Sequence, residues 1–318
     1  MRWKRASRNY VEDQRGAGGG SGGLGGGGMR GGGIPIPIPT GRGGVGGLGL
    51  VIIIAFIAFQ MCSGGFGTGT GTPGSGGTGS SDAGGGIGGL RAATPDPAAS
   101  YEVMEDQVEF VRAVTEDVQV TWQEAFRAAN RPYRDTTLVL FDNGVNTACG
   151  AASSQAGPFY CPADEKVYLD LTFFEELRSR FGAPGDFAQA YVIAHEFGHH
   201  VQTVLGISEQ VRSEQQANPD RANDLSVRME LQADCFAGVW AYSVWAQPDQ
   251  QAVESITQED ISEGLKAAAA VGDDRIQAQS GSGVNPESWT HGSSEQRMDW
   301  FQRGFREGTA GACDTFGS

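Results

Sequence analysis

Histidine is scarce in this chain, with 4 in 318 residues. Three of the four lie inside "AYVIAHEFGHHVQTVLG", Ala190 to Gly206. Positive charge is also in short supply: 23 Lys and Arg face 38 Asp and Glu, a net charge of −15. That balance argues against nucleic acid as a partner, because a polyanion is repelled by such a surface. There is no internal repeat. Glycine is abundant, at 50 residues, but forms no spaced fingerprint after a strand, so a phosphate-binding loop is not expected.

The scarce basic residues are unevenly placed. Arg2, Lys4, Arg5, Arg8, Arg15, Arg30 and Arg42 precede Cys62, against only Glu12 and Asp13, so the acidic excess falls on the chain beyond Cys62. Between Val45 and Cys62 runs "VGGLGLVIIIAFIAFQMC", which carries no charge. As a helix it would reach about 27 Å at roughly 1.5 Å per residue, close to a bilayer core of about 30 Å. Its glycine-rich flanks offer no helices to bury it against. Residues 45–62 are therefore expected to be a transmembrane signal anchor. The positive-inside rule then assigns residues 1–44 to the cytoplasm and exports the rest, as a single-pass protein of the cytoplasmic membrane with a periplasmic or extracellular domain. No small-residue cleavage site follows the run, and bulky Met61 precedes Cys62, so neither a cleaved signal peptide nor a lipid anchor is expected.

Residues 63–99 are rich in Gly, Ser and Thr, too poor in apolar surface to offset chain entropy, and read as a linker. From about residue 100 to 318 the composition is that of one domain with a sizeable core. An even number of cysteines in an exported domain suggests disulfides, most economically Cys149–Cys161 and Cys235–Cys313. Four cysteines permit three connectivities, and buried free thiols are the other reading.

Hydrophobic periodicity predicts an α+β domain, mostly helical. Val108, Val111, Val118, Trp122, Ala125 and Phe126 recur at helical spacing and predict a helix over about 102–129. "TTLVLF" and "KVYLDLTF" read as strands of a small sheet. A helix is expected from Asp186, with Gln189 completing a capping box, to Gly206 at its C-terminal cap. Others are expected over about 224–245, after Thr257, and after Ser293 or Ser294.

On the helix from Asp186, His195 and His199 are four residues apart and share one face. Two imidazoles so placed can grip one metal ion, and Glu196 completes the pattern H-E-x-x-H, in which the glutamate serves as general base. A catalytic zinc ion takes three protein ligands and keeps one open position, so a third ligand is needed. His200 points about 100° away around the helix and is expected to pack. In "MELQAD", Glu230 and Asp234 are again four apart on an otherwise apolar helix. Buried carboxylates need compensation. Zinc would supply it for Glu230, and Asp234 could take the outer N–H of a ligand histidine. A solvated acidic face is the plainer alternative for both.

"AHEFGHH" followed by "ELQADC" resembles the gluzincin arrangement, H-E-x-x-H with a glutamate ligand in E-x-x-x-D. More narrowly, the chain resembles the bacterial neutral zinc metallopeptidase family in its leader "MRWKRASRNYVEDQRG", its apolar run, "GPFYCPADEKVYLDL", the HEFGHH helix, "ELQADC" and "THGSSEQR". The resemblance implies a zincin-like, zinc-dependent endopeptidase with Zn2+ on His195, His199 and Glu230, Asp234 behind them, and Glu196 as base. It also places His291 where gluzincins present a side chain to the developing oxyanion. A loop or capping role for His291, or metal binding in place of Glu230, stays open. By analogy an extended peptide could add to the sheet along "KVYLDLTF". The implied substrate is a peptide or protein of the cell envelope, and the oligomeric state is left open. The rival class is a membrane-tethered zinc scaffold or binding module without proteolytic activity, to which Glu196 would be of no use.

Overall fold

The computed structural model describes residues 1–16, 97–280 and 284–317. Its elements in chain order are β1 (Arg2–Trp3), β2 (Val11–Asp13), α1 (Pro97–Ala128), β3 (Thr137–Phe141), β4 (Gly144–Thr147), β5 (Gly150–Ser153), β6 (Phe159–Cys161) and β7 (Lys166–Asp170). Next come α2 (Thr172–Ser179), α3 (Asp186–Leu205), α4 (Ile207–Ala217), α5 (Ala222–Ala246), β8 (Val253–Ser255), α6 (Gln258–Ala270), α7 (Asp273–Ser280) and α8 (Ser294–Glu307). The architecture is α+β and mostly helical.

One sheet has the order β2-β3-β7-β6. β2, β3 and β7 run parallel, and β6 is antiparallel to β7. Val167 to Asp170 are all buried, which fits an interior strand covered on both faces. The expected strand through Phe173 is shorter, because Asp170 Oδ1 accepts from both the N–H and the hydroxyl of Thr172 and starts α2 there. β7 also has no free edge, so substrate addition along "KVYLDLTF" is corrected: the edge of this sheet on that side is β6.

α3 lies at the centre of the fold, against α1, α5, α6 and the sheet. Val108, Val111, Val118, Trp122 and Phe126 of α1 all enter the core. α3 ends on Gly206 in a left-handed conformation, φ 81°, but its start differs from expectation: Gly185 is the N-cap and Asp186 makes no capping hydrogen bond. The capping boxes at Thr257 with Asp260 and at Ser293 with Gln296 do form. Both disulfides, Cys149–Cys161 and Cys235–Cys313, are present.

The leader departs from expectation. Residues 1–16, assigned by charge to a tail apart from the domain, supply β1, paired with β8, and β2, parallel to β3. The folded unit therefore does not begin near residue 100. The expected span at 45–62 and nearly all of the linker at 63–99 lie outside the described residues. Among the described residues no helix is long and apolar enough to cross a membrane.

Candidate metal centre

His195, Glu196 and His199 project from α3, and Glu230 and Asp234 from α5. The two helices approach closely because the residue between the histidines facing α5 is Gly198. A Cβ there would lie 2.9 Å from the Cα of Ala233. This approach brings the Glu230 carboxylate between the rings: Oε2 is 3.1 Å from His195 Nε2 and Oε1 is 3.5 Å from His199 Nε2. One ligand atom from each of the three residues lies within 4.8 Å of the others, and all three side chains are buried.

The outer ring nitrogens are held from behind. Asp234 Oδ1 accepts from His195 Nδ1 at 2.8 Å, and Gln202 Oε1 from His199 Nδ1 at 2.9 Å. With Nδ1 donating in both rings, Nε2 is the nitrogen that each ring turns to the cluster and would offer to a metal ion. Gln202 is held in turn by its Nε2 donating to Met229 O and to Gln232 Oε1, and Gln232 donates to Cys313 O. The orientation of His199 thus leads back to the Cys235–Cys313 disulfide.

Asp234 is fully buried and fully engaged. Besides His195 it accepts from Tyr191 Oη and from Arg297 through Nε at 2.8 Å and Nη2 at 2.9 Å. Burial would raise its pKa, but Arg297 and His195 outweigh this and hold it below the usual carboxylate range. Burial likewise opposes a charged His195, yet Asp234 and Glu230 lift its pKa to about 9. Glu230 is held low against burial by His199 and His195. The acids therefore favour a cation at this point of the core. Two imidazoles and one carboxylate form the three-residue donor set of a catalytic zinc site, so the residues fit the metal.

Glu196 is buried beside the cluster, and burial raises its pKa. Among the described residues its carboxylate makes no hydrogen bond, which leaves it free to take a proton. His291 lies at the rim, with its side chain 28% exposed, and its Nδ1 is 3.1 Å from Asp273 Oδ1. Desolvation would lower its pKa, but Asp273 and the charge of Glu230 raise it. It is not one of the three clustered ligand groups. His200 faces away: its Nδ1 pairs with Tyr160 Oη of β6 and its Nε2 with Arg134 O.

Tyr191, Gln202, Asp273 and Arg297 were missed as site residues. Tyr191 sits one turn before His195 and Gln202 three residues after His199, so helical spacing could have found both. Arg297 lay inside "THGSSEQR" without a role, and nothing in the sequence marks Asp273 as the neighbour of His291.

Comparison with known proteins agrees with this geometry. A family model described as "Putative neutral zinc metallopeptidase" matches residues 1–316. The chain belongs to that family. Among its relatives, the uncharacterized protein YpfJ of Escherichia coli K12 is 51% identical over 208 residues, 65% of this chain and 69% of the relative. The uncharacterized protein Rv2575 of Mycobacterium tuberculosis H37Rv is 44% identical over 211 residues, with the same shares of each chain. No solved structure matches. For this zinc metallopeptidase family the His195–His199–Glu230 cluster is the place where a metal ion could be held.

Proposed function

We propose that the protein is a zinc-dependent endopeptidase of zincin-like design, with His195, His199 and Glu230 as metal ligands. The observation that carries this reading is the convergence of two imidazole Nε2 atoms on one buried carboxylate, with Glu196 adjacent and unpaired. Zinc held there supplies a Lewis acid that polarises the scissile carbonyl and makes water a better nucleophile near neutral pH.

The protein's own groups do the rest. Glu196 takes the proton from the attacking water and returns it to the leaving amine. Asp234 and Gln202 fix the rings of His195 and His199. His291, held through Nδ1 by Asp273, offers its other ring nitrogen to the oxyanion as charge develops. An extended substrate pairs with β6, the sheet edge that packs on α3, so that main-chain bonds align it without demanding a particular sequence. The substrate class is peptide or protein.

Two disulfides support residence in an oxidising compartment outside the cytoplasm. The hydropathy of Val45–Cys62 supports attachment to the membrane.

The test uses the full chain beside Glu196→Gln. Zinc content and casein or mixed-peptide cleavage are measured on both. Stoichiometric zinc in both with cleavage only in the parent supports the reading. Zinc in both with no cleavage by either favours a tethered zinc scaffold, and absence of zinc from the parent sinks both readings.

A further inference from the structure

The leader is tied to four separate parts of the domain. β2 pairs with β3 in parallel register, Val11 with Leu138, Glu12 with Val139 and Asp13 with Leu140. The pairing is extended by Leu138 N–H to Tyr10 O at 2.9 Å and Gln14 N–H to Leu140 O at 2.8 Å. β1 pairs with β8, and Lys4 N–H donates to Ala252 O. Ser7 donates to Glu116 of α1, and the Trp3 ring meets Phe110 edge-on at 5.7 Å. The Met1 ammonium forms a buried ion pair with Asp260 of α6 at 2.7 Å. Val11 is 4% exposed and belongs to the main core.

Two of the basic residues that signal cytoplasmic retention have other partners here. Arg2 pairs with Asp249 and Glu254, and Arg5 with Glu109, all acids of the domain. A charge pattern that reads as a topology signal serves as one half of an ion-paired docking surface.

We propose that residues 1–16 and the domain fold together in one compartment, on the same side of any membrane. A single crossing would place Gly16 and Pro97 on opposite sides of about 30 Å of hydrocarbon. No strand pairs across that distance. The single-pass topology read from charge and hydropathy is incompatible with the β2–β3 register.

The experiment expresses the full chain with Cys62→Ser in a bacterial host and introduces one cysteine at a time, Arg8→Cys in the leader or Asp220→Cys in the domain. Both positions are exposed, and the remaining described cysteines are in disulfides. Intact and lysed spheroplasts are treated with a membrane-impermeant maleimide, after melting curves show that each variant folds like the parent. Reaction at both sites in intact cells, or at both only after lysis, supports the proposal and names the compartment. Reaction at one site in intact cells with the other shielded until lysis overturns it.

Discussion

Arg297 grips Asp234 through two parallel hydrogen bonds, Nε to Oδ2 at 2.8 Å and Nη2 to Oδ1 at 2.9 Å, in a fully desolvated setting. Asp234 in turn fixes His195. An arginine contributed by α8 thus sets the geometry of a zinc-ligand candidate on α3 through a carboxylate on α5.

Removing one partner of this pair should cost more than removing its hydrogen bonds. Arg297→Met leaves a buried carboxylate without its countercharge, and a loss of about 3–5 kcal/mol is expected in denaturant unfolding. Asp234→Asn should weaken zinc binding by about 10–100-fold in chelator competition. Unchanged zinc affinity in Asp234→Asn would remove Asp234 from the site.

Gly198 sets the spacing between the two site helices. In Gly198→Ala the new methyl meets the Ala233 backbone at 2.9 Å, so α3 must move from α5 or strain must be stored. A loss of about 1–3 kcal/mol is expected from such overpacking. Zinc affinity should fall with it, because Glu230 is carried on α5. Calorimetric titration with zinc and a thermal melt read the two effects separately.

The Cys235–Cys313 bridge closes a loop of 78 residues. Loop entropy of that length gives about 4–5 kcal/mol of stabilisation in the chain-entropy treatment. Cys313→Ser should lower stability by that order and also loosen the Gln232, Gln202 and His199 relay. The check is denaturant unfolding together with the zinc off-rate to a chelator. An unaltered off-rate would disconnect the bridge from the site.

Asp117 supplies a pH dependence remote from the metal centre. Burial raises its pKa to about 7, against the opposing hydrogen bonds from the Val253 N–H and Trp240 Nε1–H. The folded state therefore holds this proton more tightly than the unfolded state. Its contribution is fully present below pH about 4 and is lost as pH rises through about 7, amounting to up to about 4 kcal/mol. Stability curves of the parent and Asp117→Asn between pH 4 and 8 should differ in slope, the parent losing more stability as pH rises. Equal slopes would show that Asp117 does not titrate in that range.

The chemistry was legible in the sequence wherever it followed helical spacing. His195 with His199, and Glu230 with Asp234, each lie one turn apart, and the 3.6-residue period fixes such faces before any tertiary contact forms. The Cys149–Cys161 pair, 12 residues apart, and the caps at Thr257 and Ser293 were equally local signals. The leader was not legible: β2 is three residues, and its partner β3 lies more than 120 residues away, so composition and charge pointed to a detached tail. β7 read as a half-buried strand with a usable edge, whereas β3 and β6 consume both of its edges and its successive residues Val167 to Asp170 are all buried.

By itself the sequence determined which side chains share a helical face, and so which groups could act together on one metal ion. Only the tertiary structure decided that α3 and α5 meet at Gly198, that Arg297 and Asp273 stand behind Asp234 and His291, and that the first 16 residues complete the sheet. Those contacts join segments far apart in the chain. They are selected by mutual burial and charge pairing, and no local period records them.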